Sequence, residues 1–239
     1  MKKIFTTLMA LFLLVPIIAQ ESNAEDFEKH IISIQAGVAI PSDDLSDAKQ
    51  EDVNASAASG ITAGFDYQRN VSKYIGINVL VRAYTFPIDE NTTLKDFEND
   101  PSAAVSLETE PYALGLLGLG FTVQYGGLVQ GYVSPFIGYG GMRSPEIVVG
   151  QTIGVDYSKI TRDYSSDLGV MYGADFGIRV KVAKVLLLGI NGEYLAASEF
   201  EFEGDVSTQV NNDPKQATPY EFKQDFSTFS VALKIGFIF

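Results

Sequence analysis

From Leu168 to Val182 the chain repeats with a period of two. Leu168, Val170, Tyr172, Ala174, Phe176, Ile178, Val180 and Val182 are apolar, while Gly169, Met171, Gly173, Asp175, Gly177, Arg179 and Lys181 are mostly small or charged. A strand sends successive side chains to opposite faces, so this order gives one apolar face and one face of glycine and charge. A helix would scatter the same residues around its axis. The pattern therefore demands an extended chain.

It recurs along most of the molecule. Ile75, Ile77, Val79, Val81 and Ala83 alternate with Gly76, Asn78, Leu80 and Arg82. Leu117, Leu119, Phe121, Val123 and Tyr125 alternate with Leu116, Gly118, Gly120, Thr122 and Gln124. Leu186, Leu188, Ile190 and Tyr194 face away from Leu187, Gly189, Asn191 and Glu193, with Gly192 in the apolar row. Such segments predict eight strands, near 30–41, 58–69, 73–86, 110–125, 131–148, 162–182, 185–203 and 221–239. The connections alternate between short (69–73, 126–130, 183–184) and long (42–57, 87–109, 149–161, 204–220). In the fifth strand Pro135 lacks a ladder N–H and Gly138, Gly140 and Gly141 weaken the segment, so a bulge is expected there.

The first residues read differently. Lys2 and Lys3 precede an apolar run, Leu8 to Ile18, and Ser22-Asn23-Ala24 places small residues where a signal peptidase cuts. Eleven helical residues rise only about 16 Å, short of the ~30 Å hydrocarbon core. Residues 1–24 are thus expected to be a cleaved export signal and 25–239 one β-barrel domain. No later run of apolar residues is long enough for a membrane helix, so any membrane entry must use strands. The net charge of −13 excludes nucleic acid as a partner, and the absence of cysteine excludes disulfides, thiolate chemistry and an acyl-cysteine anchor.

The apolar rows could face a protein core or lipid. Glycine decides for lipid: Gly76, Gly118, Gly120, Gly138, Gly140, Gly173, Gly177, Gly189 and Gly236 share the row opposite the apolar one. Strands facing water would carry Thr, Lys or Glu there, whereas the narrow interior of an eight-stranded barrel needs small residues beside large ones. The charges in that row, Asp66, Arg82, Asp175, Arg179, Lys181, Glu193 and Lys234, are of mixed sign and suit pairing across a lumen. The expected fold is all-β: an eight-stranded antiparallel up-and-down transmembrane barrel with an even strand count, both termini on the short-turn side and long loops outside. Aromatic residues at strand ends (Tyr67, Tyr125, Tyr194, Phe229, Phe239) fit interfacial girdles.

The mature chain, about residues 30–239, resembles the small outer-membrane barrel families, the OmpA-like, OmpX-like and OmpW-like eight-stranded proteins. Its most specific element is the end, where Phe229, Val231, Leu233, Ile235, Phe237 and Phe239 alternate with Ser230, Ala232, Lys234, Gly236 and Ile238. A terminal strand of this form, closing on Phe, resembles the signal read by the barrel-assembly machinery. The resemblance implies a Gram-negative outer-membrane location, periplasmic chaperones, insertion by that machinery, and contact with membrane lipid and lipopolysaccharide. No peptidoglycan-binding domain follows the last strand, so tethering of that kind is not expected.

Chemistry-bearing motifs are few. Barrels that modify lipid A need a His with Ser and an acidic partner; the only histidine, His30, falls at the periplasmic end of the first strand, where it reads as a strand-edge residue. Asp43, Asp44, Asp47, Glu51 and Asp52 in the first long loop, and Asp89, Glu90, Asp96, Glu98, Asp100 and Glu108 in the second, either bind divalent cations or keep exposed loops soluble. No twelve-residue calcium loop is present, so no metal or cofactor is expected. Gly115 to Gly120 lacks the G-x-G-x-x-G spacing and reads as close-packed strand. The sequence thus points to a monomeric, non-enzymatic barrel with a filled polar lumen and four mobile acidic loops, serving envelope integrity or adhesion through an extracellular ligand. The alternatives are a narrow channel for small or apolar solutes, with lateral escape through the fifth strand, and an enzyme acting on lipid A.

Overall fold

The computed structural model describes residues 28–42, 45, 56–90, 103–153, 156–211 and 213–239. The segment read as an export signal and the acids Asp43, Asp44, Asp47, Glu51, Asp52, Asp96, Glu98 and Asp100 lie outside the described residues. Thirteen strands are described: β1 (His30–Pro41), β2 (Gly60–Asn70), β3 (Ile75–Phe86), β4 (Ala103–Thr109), β5 (Tyr112–Gly126), β6 (Val129–Arg143), β7 (Ile147–Ile153), β8 (Asp156–Arg162), β9 (Ser166–Ala183), β10 (Leu186–Ala197), β11 (Phe200–Val210), β12 (Gln216–Gln224) and β13 (Ser227–Ile238). Eight close an antiparallel barrel in the order β1-β13-β10-β9-β6-β5-β3-β2, with β2 returning to β1. These eight are the strands read from the alternation.

Facing follows the reading too. Leu117, Leu233 and Ile190 are about 60% exposed on the outside, whereas Leu80 and Arg82 of the opposite row are 0% and 1% exposed. Glycine makes room for the large polar side chains. A Cβ on Gly64 would stand 2.7 Å from Arg82 Nη1, and one on Gly120 2.8 Å from Asn78 Oδ1.

The turns at one end are short. Between β2 and β3 the Ser72 hydroxyl accepts hydrogen bonds from the Tyr74 and Ile75 amides, 3.2 and 3.1 Å, which fixes the reversal. Gly126 enters the β5–β6 turn at φ +126°, a conformation closed to most side chains. Barrels of this kind keep short turns at the periplasm and long loops outside, which orients the molecule.

Two expectations are corrected. The β5–β6 and β6–β9 registers run unshifted past Pro135, which pairs with Ala174. Proline interrupts the ladder to β5 locally without inserting a residue; the register shift lies instead at Leu186/Leu187, where β10 leaves its turn. The second correction concerns the long loops, expected to be mobile. Beyond the wall the second, third and fourth of them form a five-stranded antiparallel sheet, β12-β11-β8-β7-β4, while most of the first lies outside the described residues. Each of its strands continues a neighbour in the wall: β4 leads into β5, β7 follows β6, β8 leads into β9, β11 follows β10 and β12 leads into β13. Five of the eight wall strands are therefore prolonged beyond the other three. Alternation carries through these loops (Phe200, Phe202 and Phe222 against Glu201, Glu203, Glu221 and Lys223), so the ladder buries one apolar face, which offsets the entropy of ordering the loops.

Candidate functional site

The inward rows fill the barrel in three layers. Nearest the periplasm lies a knot of carboxamides around Arg179. Its Nε donates to Gln130 Oε1 at 2.9 Å and Nη1 to Gln68 Oε1 at 3.2 Å, while Nη2 donates to Gln124 Oε1. Gln68 Nε2 donates in turn to Gln124 Oε1, 2.9 Å, and Asn70 Oδ1, 2.5 Å. These side chains come from β2, β5, β6 and β9, so the knot ties walls on opposite sides. Glu28, just before β1, closes the mouth: its carboxylate meets Lys181 Nζ at 2.9 Å, and its carbonyl accepts from Asn70 Nδ2 at 2.5 Å.

The middle layer is ionic. Arg82 of β3 reaches Asp66 of β2 at 2.8 Å, Glu193 of β10 at 2.6 Å and Asp175 of β9 at 3.7 Å. Lys234 of β13 completes the ring against Asp66, 3.0 Å, and Asp175, 2.8 Å. The Tyr84 hydroxyl donates to Glu193, and Asn191 Nδ2 donates to Asp175 at 3.0 Å and Gln35 at 3.2 Å. Arg82 and Glu193 are 1% exposed. Charges withdrawn from water this completely persist only when paired, and each is paired here, although Asp66 and Arg82 Nη2 are held by ion contacts without a hydrogen bond. Tyr132 joins the two layers, its ring 5.3 Å from the Arg179 guanidinium and 5.2 Å from Lys234 Nζ.

The third layer corrects the expected polar lumen. Toward the outside the inward row turns apolar: Tyr84, Phe86, Leu114, Leu116, Phe136, Met142, Met171 and Leu195 are buried together. The cluster runs on into the inner face of the extracellular sheet through Ile147, Val149, Phe200 and Phe202, and takes in Leu45, Ala57 and Ile88 from the lower side of the rim. Side chains thus close the mouth as a dry core above the ion layer.

Of the seven lumen charges read from the sequence, the structure brings Asp66, Arg82, Asp175, Glu193 and Lys234 together. Arg179 sits one layer below among carboxamides, and Lys181 at the mouth with Glu28. Glu28, Gln68, Gln124, Gln130, Tyr84 and Tyr132 were missed. The glutamines stand at inward positions of the same alternation and could have been found; Glu28 precedes the first strand and carries no periodic signal. With Glu28, four acids face the four bases Arg82, Arg179, Lys181 and Lys234.

His30 is engaged at the periplasmic rim, its Nδ1 2.8 Å from the Tyr67 hydroxyl and its ring stacked 5.4 Å from Phe239. The stack joins β1, β2 and the last residue, where the barrel closes. Among the described residues no group of three or more His, Asp or Glu is arranged to hold a metal ion.

No family model and no curated protein sequence matches the chain. Among solved structures it is similar to Neisserial surface protein A, at 11% identity and TM-score 0.49, over 88% of this chain and 97% of that one. It is also similar to Ail, the attachment invasion locus protein of Yersinia pestis, at 11% identity and TM-score 0.46, over 89% and 100%. A third is the outer membrane protein OprG from Pseudomonas aeruginosa, at 13% identity and TM-score 0.42, over 89% and 97%. These likenesses are distant, and the molecule's own geometry is what places it. More than thirty large apolar side chains are exposed, most of them around a closed eight-stranded wall whose outward row carries charge only near strand ends, at Arg69 and Arg143; water would not tolerate that surface, and acyl chains require it. The chain is a closed eight-stranded antiparallel β-barrel whose apolar outer surface suits a lipid surrounding.

Proposed function

We propose that this protein is a plugged, non-enzymatic barrel whose working part is the extracellular sheet, held above the membrane for surface interaction. The observation that carries the reading is the filling of the barrel at three successive levels beneath an ordered sheet. A barrel of eight strands has room only for its own side chains, and here carboxamides, an ion cluster and an apolar cap use that room. The sole histidine is bound at the periplasmic rim, away from the outer leaflet where lipid A chemistry would take place. In planar bilayers the purified protein should give no stable conductance steps; regular steps would overturn the plug. Replacing the β11–β12 hairpin by a tight turn should abolish adherence of cells displaying the protein to host-cell or abiotic surfaces, with the barrel still inserted.

A second reading, a narrow path for small apolar solutes, is favoured by one observation: the extracellular part of the lumen is lined by Tyr84, Phe86, Phe136 and Met171 rather than by polar groups. Uptake of an apolar tracer into protein-bearing liposomes, faster than into empty ones, would support it. On either reading residues 1–24 are removed on export, so the mature N-terminus is Glu25, and the Phe229–Phe239 strand directs insertion by the assembly machinery among lipid and lipopolysaccharide. N-terminal sequencing of protein from membranes tests the first point, and Phe239→Ala, expected to lower the inserted fraction, tests the second.

A further inference from the structure

The extracellular sheet buries one cation for which it supplies no acid. Arg162, the last residue of β8, is 3% exposed on the inner face, between Ile147 of β7 and Val206 of β11. The two buried arginines of the lumen both have acceptors, three carboxylates around Arg82 and three carboxamides around Arg179. None of the three guanidinium nitrogens of Arg162 has a carboxylate or carboxamide acceptor among the described residues, and the Tyr112 hydroxyl is the polar side chain set beside it. The Tyr112 hydroxyl lies near enough to favour the charged form, while burial, the larger effect, lowers the pKa.

What surrounds the group is aromatic. The guanidinium carbon lies 5.6 Å from the Phe222 ring and 6.0 Å from the Tyr220 ring. Ring faces attract a cation but accept none of the N–H bonds that point along the guanidinium plane. Those donors form a fork that fits the two oxygens of a carboxylate, phosphate or sulfonate. On the outer face of the same sheet Glu201, Glu203, Asp205 and Glu221 are exposed, so an anion is repelled there and attracted only within. The apolar face shared with Phe202 and Val149 suits a ligand body of the same character.

We propose that the inner face of the extracellular sheet binds an amphipathic organic anion, an acid group carried on an aromatic or alkyl body, anchored by Arg162. The proposal rests on the reading of the sheet as the interacting part and names the chemistry it takes. Arg162 is 3% exposed, so binding requires the side chains that cover it on the inner face to move aside.

Calorimetric titration of the full chain in lipid nanodiscs tests it, with 2-naphthoate as probe, 2-naphthol as the uncharged body, inorganic phosphate as the charge alone, and empty nanodiscs subtracted. Saturable naphthoate binding is expected, with naphthol and phosphate weaker by about tenfold or more, some 1.4 kcal/mol. Arg162→Met should lose the naphthoate signal yet raise the melting temperature without ligand, because it removes an uncompensated buried charge; Arg162→Lys should keep part of the binding. Phosphate binding as well as naphthoate would refute the amphipathic class. Undiminished naphthoate binding by Arg162→Met, or no binding by the parent protein together with a lowered melting temperature in the variant, would overturn the site and leave Arg162 a packing residue. Adherence lost on hairpin replacement while naphthoate fails to bind would sink this inference alone and leave the role of the sheet standing.

Discussion

Replacing Arg82 by methionine isolates the ion layer, because the two side chains have similar length and the site excludes water. At an effective dielectric of about 20, each of the two contacts under 3 Å, to Asp66 and Glu193, carries on the order of 6 kcal/mol of attraction. The desolvation of Arg82 and its partners offsets most of that sum, and the net loss on removing one member of a buried pair is typically about 3–5 kcal/mol. The loss is uneven. Lys234 still serves Asp66 and Asp175, but Glu193 keeps only the Tyr84 hydroxyl. Arg82→Met should therefore destabilise the barrel by about 3–5 kcal/mol, and Arg82→Met with Glu193→Gln should recover part of it, a coupling of about 1–3 kcal/mol. The chain has no tryptophan, so unfolding by urea in lipid vesicles would be followed by circular dichroism and by the gel shift between folded and unfolded forms. A cost below about 1 kcal/mol for the single variant, the range of exposed pairs, or strict additivity in the double variant, would refute the picture of a tightly coupled dry cluster.

Other outcomes follow from the same geometry. Lys223→Gln removes two contacts with Glu199 and Glu201 between half-exposed side chains, and should leave urea unfolding unchanged. Gly140→Ala puts a Cβ 2.1 Å from the Gly115 carbonyl oxygen and should cost about 1–3 kcal/mol in the same unfolding assay, whereas Gly131→Ala meets nothing within 4 Å and should be neutral. Glu28→Gln frees the Lys181 ammonium at the periplasmic mouth, so Lys181 should react faster with an amine-directed acylating reagent; unchanged labelling would mean that Glu28 does not cover it.

Local order along the chain determined the wall. The period of two in β3, β5, β9, β10 and β13 was enough to assign each side chain to lipid or lumen, because a strand has no other way to distribute its residues and one misplaced register would turn every apolar group inward. The glycines marked the lumen for a related reason: only small residues leave volume for arginine and glutamate in so narrow an interior. Partnership was beyond that reach. Arg82 and Glu193 are 111 positions apart and meet because β3 and β10 lie across the barrel from each other, a relation set by closure and stagger rather than by spacing. Arg179 and Lys181 look equivalent to the other charges in sequence, yet strand height puts them in different layers. Glu28 entered the balance only through the folded position of a segment with no pattern of its own. The extracellular sheet shows the limit most clearly: its strands alternate too, but whether such loops stay solvated or extend the wall depends on neighbours supplied by four other segments. Tertiary structure alone brought those segments side by side, and with them the buried cation Arg162.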